Sequence, residues 1–126
     1  LTLTKPTAFE RIWSSKNNAF GDGEWYSILH YEKELLKPAD AGLTLITVDT
    51  FEQVNQKVAQ FISNTVGEYN DNDASRKDFL MAVSNSPIKY SLNDYYFHRS
   101  ENNDFDTFTA IYNVGQKKLY VLEWHQ

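Results

Sequence analysis

An α+β fold, a layered sandwich with an antiparallel sheet buried by helices, is what this chain predicts, and three observations carry the prediction. Its last stretch holds two β-rich runs joined by a short polar turn, and neither run shows a polar face. In the first, Phe108, Ala110 and Tyr112 alternate with Ile111 and two threonines; in the second, Leu119 and Val121 oppose Tyr120, Leu122 and Trp124. A hairpin with one wet side reads as strict alternation of apolar and polar residues. This one needs cover on both sides, from helices, from a second sheet, or from one of each. The second observation is the apolar stripe of residues 51–66, and the third is the grouping of helical patterns ahead of the closing strands rather than strict alternation with them.

Taken in order, Thr7-x-x-Glu10 fits a capping box, with Phe9, Ile12 and Trp13 on one side of a short helix behind it. That pattern fades through Ser14 to Asn18 and ends in a Gly21-Asp22-Gly23 turn. Trp25, Ile28, Leu29, Glu32, Leu35 and Leu36 then fall at helical spacing, with Pro38 as the stop. Residues 43–48 read as a strand. In the helix at 51–66, Phe51, Val54, Val58, Phe61, Ile62 and Thr65 share one face; Thr50-x-x-Gln53 supplies the capping box and Gly67 the terminal glycine. A shorter helix at 74–83 carries Phe79, Ala82 and Val83. Residues 88–97 are tyrosine-rich and hold a short strand, and 100–104 form a polar loop before the hairpin.

The 126 residues make one domain's worth of chain, 1–126, or a segment of a larger one. Aromatic residues reach 15%, enough to place large rings in a core or along a groove. A net charge of −5 argues against a nucleic-acid partner, which calls for clustered Lys and Arg. No apolar run is long enough to span a bilayer, and the start lacks a basic-then-apolar signal pattern. Without cysteine there is no disulfide, thiolate metal site or cysteine nucleophile in this chain. The cytoplasm is the favoured compartment, with a simple secreted protein as the alternative. The leading leucine reads as trimming or as part of a longer product.

Candidate chemistry is sparse. His30, His98 and His125 are far apart and show no metal-type spacing. His30 reads as a half-buried, hydrogen-bonded side chain, and His98 and His125 as surface residues. Glu68, Asp71, Asp73 and Asp78 lack the glycine and closing glutamate of a calcium loop and read as a solvated turn. There is no Gly-x-Ser-x-Gly elbow and no glycine-rich phosphate loop. Tyr90, Tyr95, Tyr96 and Phe97, with Lys89 and Arg99 nearby, could stack a base or a sugar, but core packing of a tyrosine-rich strand is the stronger reading. No metal and no cofactor is expected.

Three stretches resemble the C-terminal part of the linear amide C–N hydrolases, the N-terminal-nucleophile group that includes bile salt hydrolases and penicillin V acylases. Leu3-Thr-Lys-Pro-Thr-Ala-Phe9 is similar to that family's Leu-Thr-Asn-x-Pro-Thr-Phe. Ser27-Ile-Leu-His-Tyr31 sits where the family has Ser-x-x-Arg-Phe or Arg-Tyr, and Phe79 to Ser84 with the closing hairpin resembles its helix and final ribbon. The resemblance implies a four-layer αββα sandwich, which would cover the hairpin on both sides. It also implies a pocket near Lys5, Trp25, Ser27, His30 and Tyr31. The family's nucleophilic cysteine is missing, its oxyanion-type Asn falls at Lys5 and its catalytic Arg at His30, so no catalytic role carries over.

Two functions stay open. The chain is a segment or non-catalytic relative of a hydrolase of linear amide bonds, binding a small acyl-amide, with any nucleophile on another chain or segment. Alternatively it is a small acidic interaction domain (an inhibitor, immunity-type or adaptor protein) for a basic protein partner. Whether it is an enzyme at all, the sequence leaves open.

Overall fold

A computed structural model describes residues 1–15, 23–32, 37–69 and 73–126. They form an α+β fold: a six-stranded antiparallel sheet in the order β1-β2-β6-β5-β4-β3 with two helices between β3 and β4. The strands are β1 (Ala8–Ser14), β2 (Gly23–His30), β3 (Thr44–Leu45), β4 (Tyr95–Glu101), β5 (Asp106–Asn113) and β6 (Lys118–His125); the helices are α1 (Val48–Glu68) and α2 (Asp73–Asn85).

The closing hairpin, β5 and β6, lies at the centre of the sheet, with β2 on one side and β4 on the other. Its register places Ala110 opposite Val121 and Ile111 opposite Tyr120, so the two apolar sets face opposite sides. Tyr26, Ile28, Ile111, Tyr120, Leu122 and Trp124 pack against Val54 and Phe61 of α1 and Phe79 of α2. Ala110, Tyr112, Leu119 and Val121 fill the second side with Tyr31 and Leu43. Both faces are dry along Ala110–Tyr112 and Leu119–Leu122, as the missing polar face of those stretches requires.

Cover on the second side comes from the chain's own irregular segments. Thr2 donates its backbone N–H to Ala41 O at 2.8 Å, and Tyr31 donates its hydroxyl to Thr4 O at 3.1 Å. Gly42 (φ +96°) lets the turn at 37–43 press on this segment: a Cβ there would meet Leu1 Cα at 3.3 Å. The second sheet implied by the resemblance does not occur among the described residues, which form one sheet.

Two expected helices are strands. Residues 8–13 lie in β1, with Thr7 just before it, and the described part of 25–36 is led by β2. β2 is an interior strand, paired to β1 and β6, with Tyr26 and Ile28 on the helical side and Trp25, Ser27 and Leu29 on the other. Apolar residues on both faces of such a strand reproduce i, i+3, i+4 spacing, and tertiary pairing decides between the periods. The Gly21–Gly23 turn, Leu35, Leu36 and residues 70–72 fall wholly or partly outside the described residues.

The expected helix at 51–66 is α1, one turn longer at its start. Its box is Thr47-x-x-Thr50, with Thr47 N donating to Thr50 Oγ1 at 2.8 Å, not Thr50-x-x-Gln53. Gly67 lies within the last turn, and Tyr69 closes the helix. The strand expected at 43–48 shrinks to β3, since Val48 already opens α1. No described helix is long and apolar enough to cross a membrane.

Candidate functional site

The second face of the sheet is covered unevenly. Around Leu29, Leu119 and Tyr112 the segments at 1–6 and 37–43 close it. At the opposite end, where Gly23, His125, Asp106 and Glu101 stand side by side, the described residues leave a band of rings and charges open. Strand alternation sets its membership: Arg11 on β1, Trp25 on β2, Glu123 and His125 on β6, Asp106 and Phe108 on β5, and Arg99 and Glu101 on β4.

Arg11, Trp25, Glu123 and His125 line a shallow cavity of about 300 Å³. A smaller cleft of about 30 Å³ adjoins it through His125, walled by Arg99, Glu101, Asp106, Thr107 and Phe108. The His125 ring meets Trp25 edge-on with centroids 5.4 Å apart. Its Nδ1 lies 3.4 Å from Asp106 Oδ1 and its Nε2 3.9 Å from Glu123 Oε1. Arg99 pairs with Glu101 at 3.4 Å and stands over the Phe108 ring, 6.0 Å from its centroid. Arg11 stands 5.3 Å from the Phe9 centroid, and Phe9 is 54% exposed. Such a surface can hold charged and planar groups together; it offers no thiol or paired hydroxyl to begin covalent chemistry.

The five residues expected around a pocket do not share one. Trp25 lines the cavity, while Ser27 is buried on the same face of β2. Tyr31 is buried at the closed end, its hydroxyl bonded to Thr4 O. Lys5 is exposed in the leading segment. His30 sits on the helical side of the sheet near its margin, 2.5 Å from Glu10 Oε1, so it is hydrogen-bonded as expected but faces away from Trp25.

Two other polar sites lie inside the molecule. Glu24, fully buried on the helical side, accepts Tyr69 OH at 3.0 Å and Gln126 Nε2 at 3.0 Å. Burial pushes its carboxyl above the ordinary range, an effect the hydrogen bonds from Tyr69 and Ser15 oppose. His98, expected at the surface, is half-buried because β4 turns it toward the helical side, and its Nδ1 is 2.8 Å from Thr109 Oγ1. Burial and the nearby Lys57 charge push its imidazole below the usual value. An imidazole beside a hydroxyl has the outline of a base and nucleophile, but Thr109 is 3% exposed and out of a substrate's reach. Among the described residues no group of His, Asp or Glu is arranged to hold a metal.

A second cavity, apolar and about 390 Å³, lies at the start of α1 between Val48, Phe51, Ser91 and Leu92.

Sequence reasoning placed Phe9 on a helix and His125 on the surface and passed over Arg11 and Glu123. A signal for β6 was present: the Leu119–Val121 side turns to Glu123 and His125, while the other side stays apolar through Trp124. No family model, no curated protein and no solved structure matches this chain.

Proposed function

We propose that this chain is a non-enzymatic binding domain that engages a protein partner through the open band on its sheet. The supporting observation is the row of Arg11, Trp25, Glu123, His125, Phe108 and Arg99 across five adjacent strands, at the end that the described segments leave uncovered. Aromatic and arginine side chains are the groups that dominate protein recognition. A rigid sheet also presents them at little ordering cost.

Kinship with the linear amide hydrolases draws support from the doubly covered hairpin alone. That cover is made here by helices and by the segments at 1–6 and 37–43. The positions that would flank an acyl pocket, Trp25 and His30, lie on opposite faces of β2.

Photo-crosslinking discriminates. A benzophenone side chain at Trp25 or Phe108 should capture a stoichiometric protein partner in extracts of the producing cells, and the same group at Met81 on the outer face of α2 should not. Capture from Met81 alone, or turnover of an amide substrate by the isolated chain, would overturn the reading.

A further inference from the structure

We infer that the cavity of Arg11, Trp25, Glu123 and His125 receives a cationic side chain, an arginine or lysine, from a partner peptide. This rests on the binding-domain reading and names the chemistry of the same site. The volume of about 300 Å³ lies at the floor of the range for ligand pockets, which suits one side chain better than a whole cofactor.

Charge selects the sign of that side chain. Glu123 and Asp106 face His125, and neither has a lysine or arginine within salt-bridge distance among the described residues. Their side chains are 31% and 35% exposed, so their fields are less screened than those of the outer pair Arg99 and Glu101, at 61% and 65%. Arg99 also stands 6.0 Å from the Phe108 centroid, so that the Arg99–Glu101 pair belongs to the neighbouring cleft. Arg11, in contrast, is exposed, stands over Phe9 and forms the rim.

A guanidinium entering the cavity would meet the Glu123 carboxylate as a two-pronged acceptor, with the Trp25 ring alongside. The Arg11 rim would receive a backbone carbonyl or an acidic neighbour of the incoming residue. The chain's net charge of −5 favours the encounter at long range.

The test uses blocked tripeptides of the form glycine–X–glycine, with X arginine, lysine, citrulline or glutamate, followed by NMR of the Trp25 indole N–H. The arginine peptide should shift that resonance saturably, and citrulline, the same shape without charge, should bind about tenfold more weakly. Glu123→Gln should reproduce that loss with the fold intact by circular dichroism. Glu52→Gln, which removes one exposed charge from α1, should leave binding unchanged and so separates local from net charge. Equal binding of citrulline, stronger binding of the glutamate peptide, or no shift with arginine would each overturn the cation assignment. Crosslinks from Trp25 and Phe108 would still stand in any of those cases, and their absence would bring down the binding-domain reading itself.

Discussion

Tyr69 donates its hydroxyl to Glu24 Oε2 at 3.0 Å, joining the end of α1 to a carboxylate buried in β2. Burial is the main cause that raises the Glu24 carboxyl above 4.5, and Glu68 adds to it; hydrogen bonds from Tyr69, Ser15 and Gln126 oppose it. Burial also pushes the Tyr69 phenol up to about 12, so it remains a donor across the working range. Because the folded state holds the Glu24 proton more tightly than the unfolded chain, its contribution is complete below 4.5 and declines as pH rises through the folded value. Tyr69→Phe removes a bond that favours the ionised form and should cost about 1–2 kcal/mol at pH 7, less at pH 4. Urea unfolding at both pH values reads this directly, and an equal cost at the two would refute it. Glu24→Gln should gain on the wild type as pH rises between them.

Thr65, on α1, is fully buried, and its Oγ1 has no hydrogen-bond partner among the described residues. An unpaired buried hydroxyl is a standing cost. Thr65→Val keeps the shape and the branched Cβ, and the two residues have similar helix propensity. The substitution should therefore raise stability by about 1 kcal/mol. Thr65→Ser retains the unpaired oxygen and loses a methyl, and should lower stability by about 1 kcal/mol. Thermal unfolding of the pair should move the midpoint in opposite directions.

The central hairpin was legible because its two runs, Phe108 to Tyr112 and Leu119 to Trp124, have no polar side to reconcile with any one-sided packing. α1 was legible because Val54, Phe61 and Thr65 fall on one stripe of a long helix. β1 and β2 were not. Glu10, read as a capping carboxylate, instead lies beside His30 across the strand pair, and Ile28 and Leu29 point to opposite faces. Local spacing is degenerate for an interior strand, and the partner strand that resolves it is about a hundred residues away, in β6. The open band shared that blindness. Arg11, Trp25 and Glu123 become neighbours only through the register of β1, β2 and β6.

Asp94 is buried and ties three segments together. Its Oδ2 accepts Ser91 N at 2.8 Å and its Oδ1 accepts Val114 N at 3.0 Å, while its backbone carbonyl accepts Ile46 N at 2.7 Å. An asparagine has one acceptor oxygen where the carboxylate has two. Asp94→Asn should thus forfeit one of the two amide bonds and cost about 1.5–3 kcal/mol despite its matching shape. Hydrogen exchange locates the loss: either the Ser91 or the Val114 amide should lose protection. Unchanged stability with both amides protected would show that the carboxylate is not the tie.

His98 gives the opposite pH signature to Glu24. Burial is the first cause that lowers its imidazole below 6.5, the Lys57 charge lowers it further, and Asp104 partly opposes them. The unfolded chain therefore takes up the proton more readily than the folded one. The His98 contribution is present above 6.5 and is lost as pH falls through the folded value. His98→Gln should cost about 1 kcal/mol at pH 8 through the altered contact with Thr109 Oγ1, now 2.8 Å from Nδ1. It should also shrink the fall in melting temperature between pH 8 and pH 5, because glutamine does not titrate. Lys57→Gln, which removes the second cause and leaves the ring in place, should shrink that fall by a smaller amount. Melting curves of the three proteins across this range make the check. A wild-type midpoint that rises on acidification while the His98→Gln midpoint falls would mean that protonation of His98 stabilises the fold, contrary to its burial.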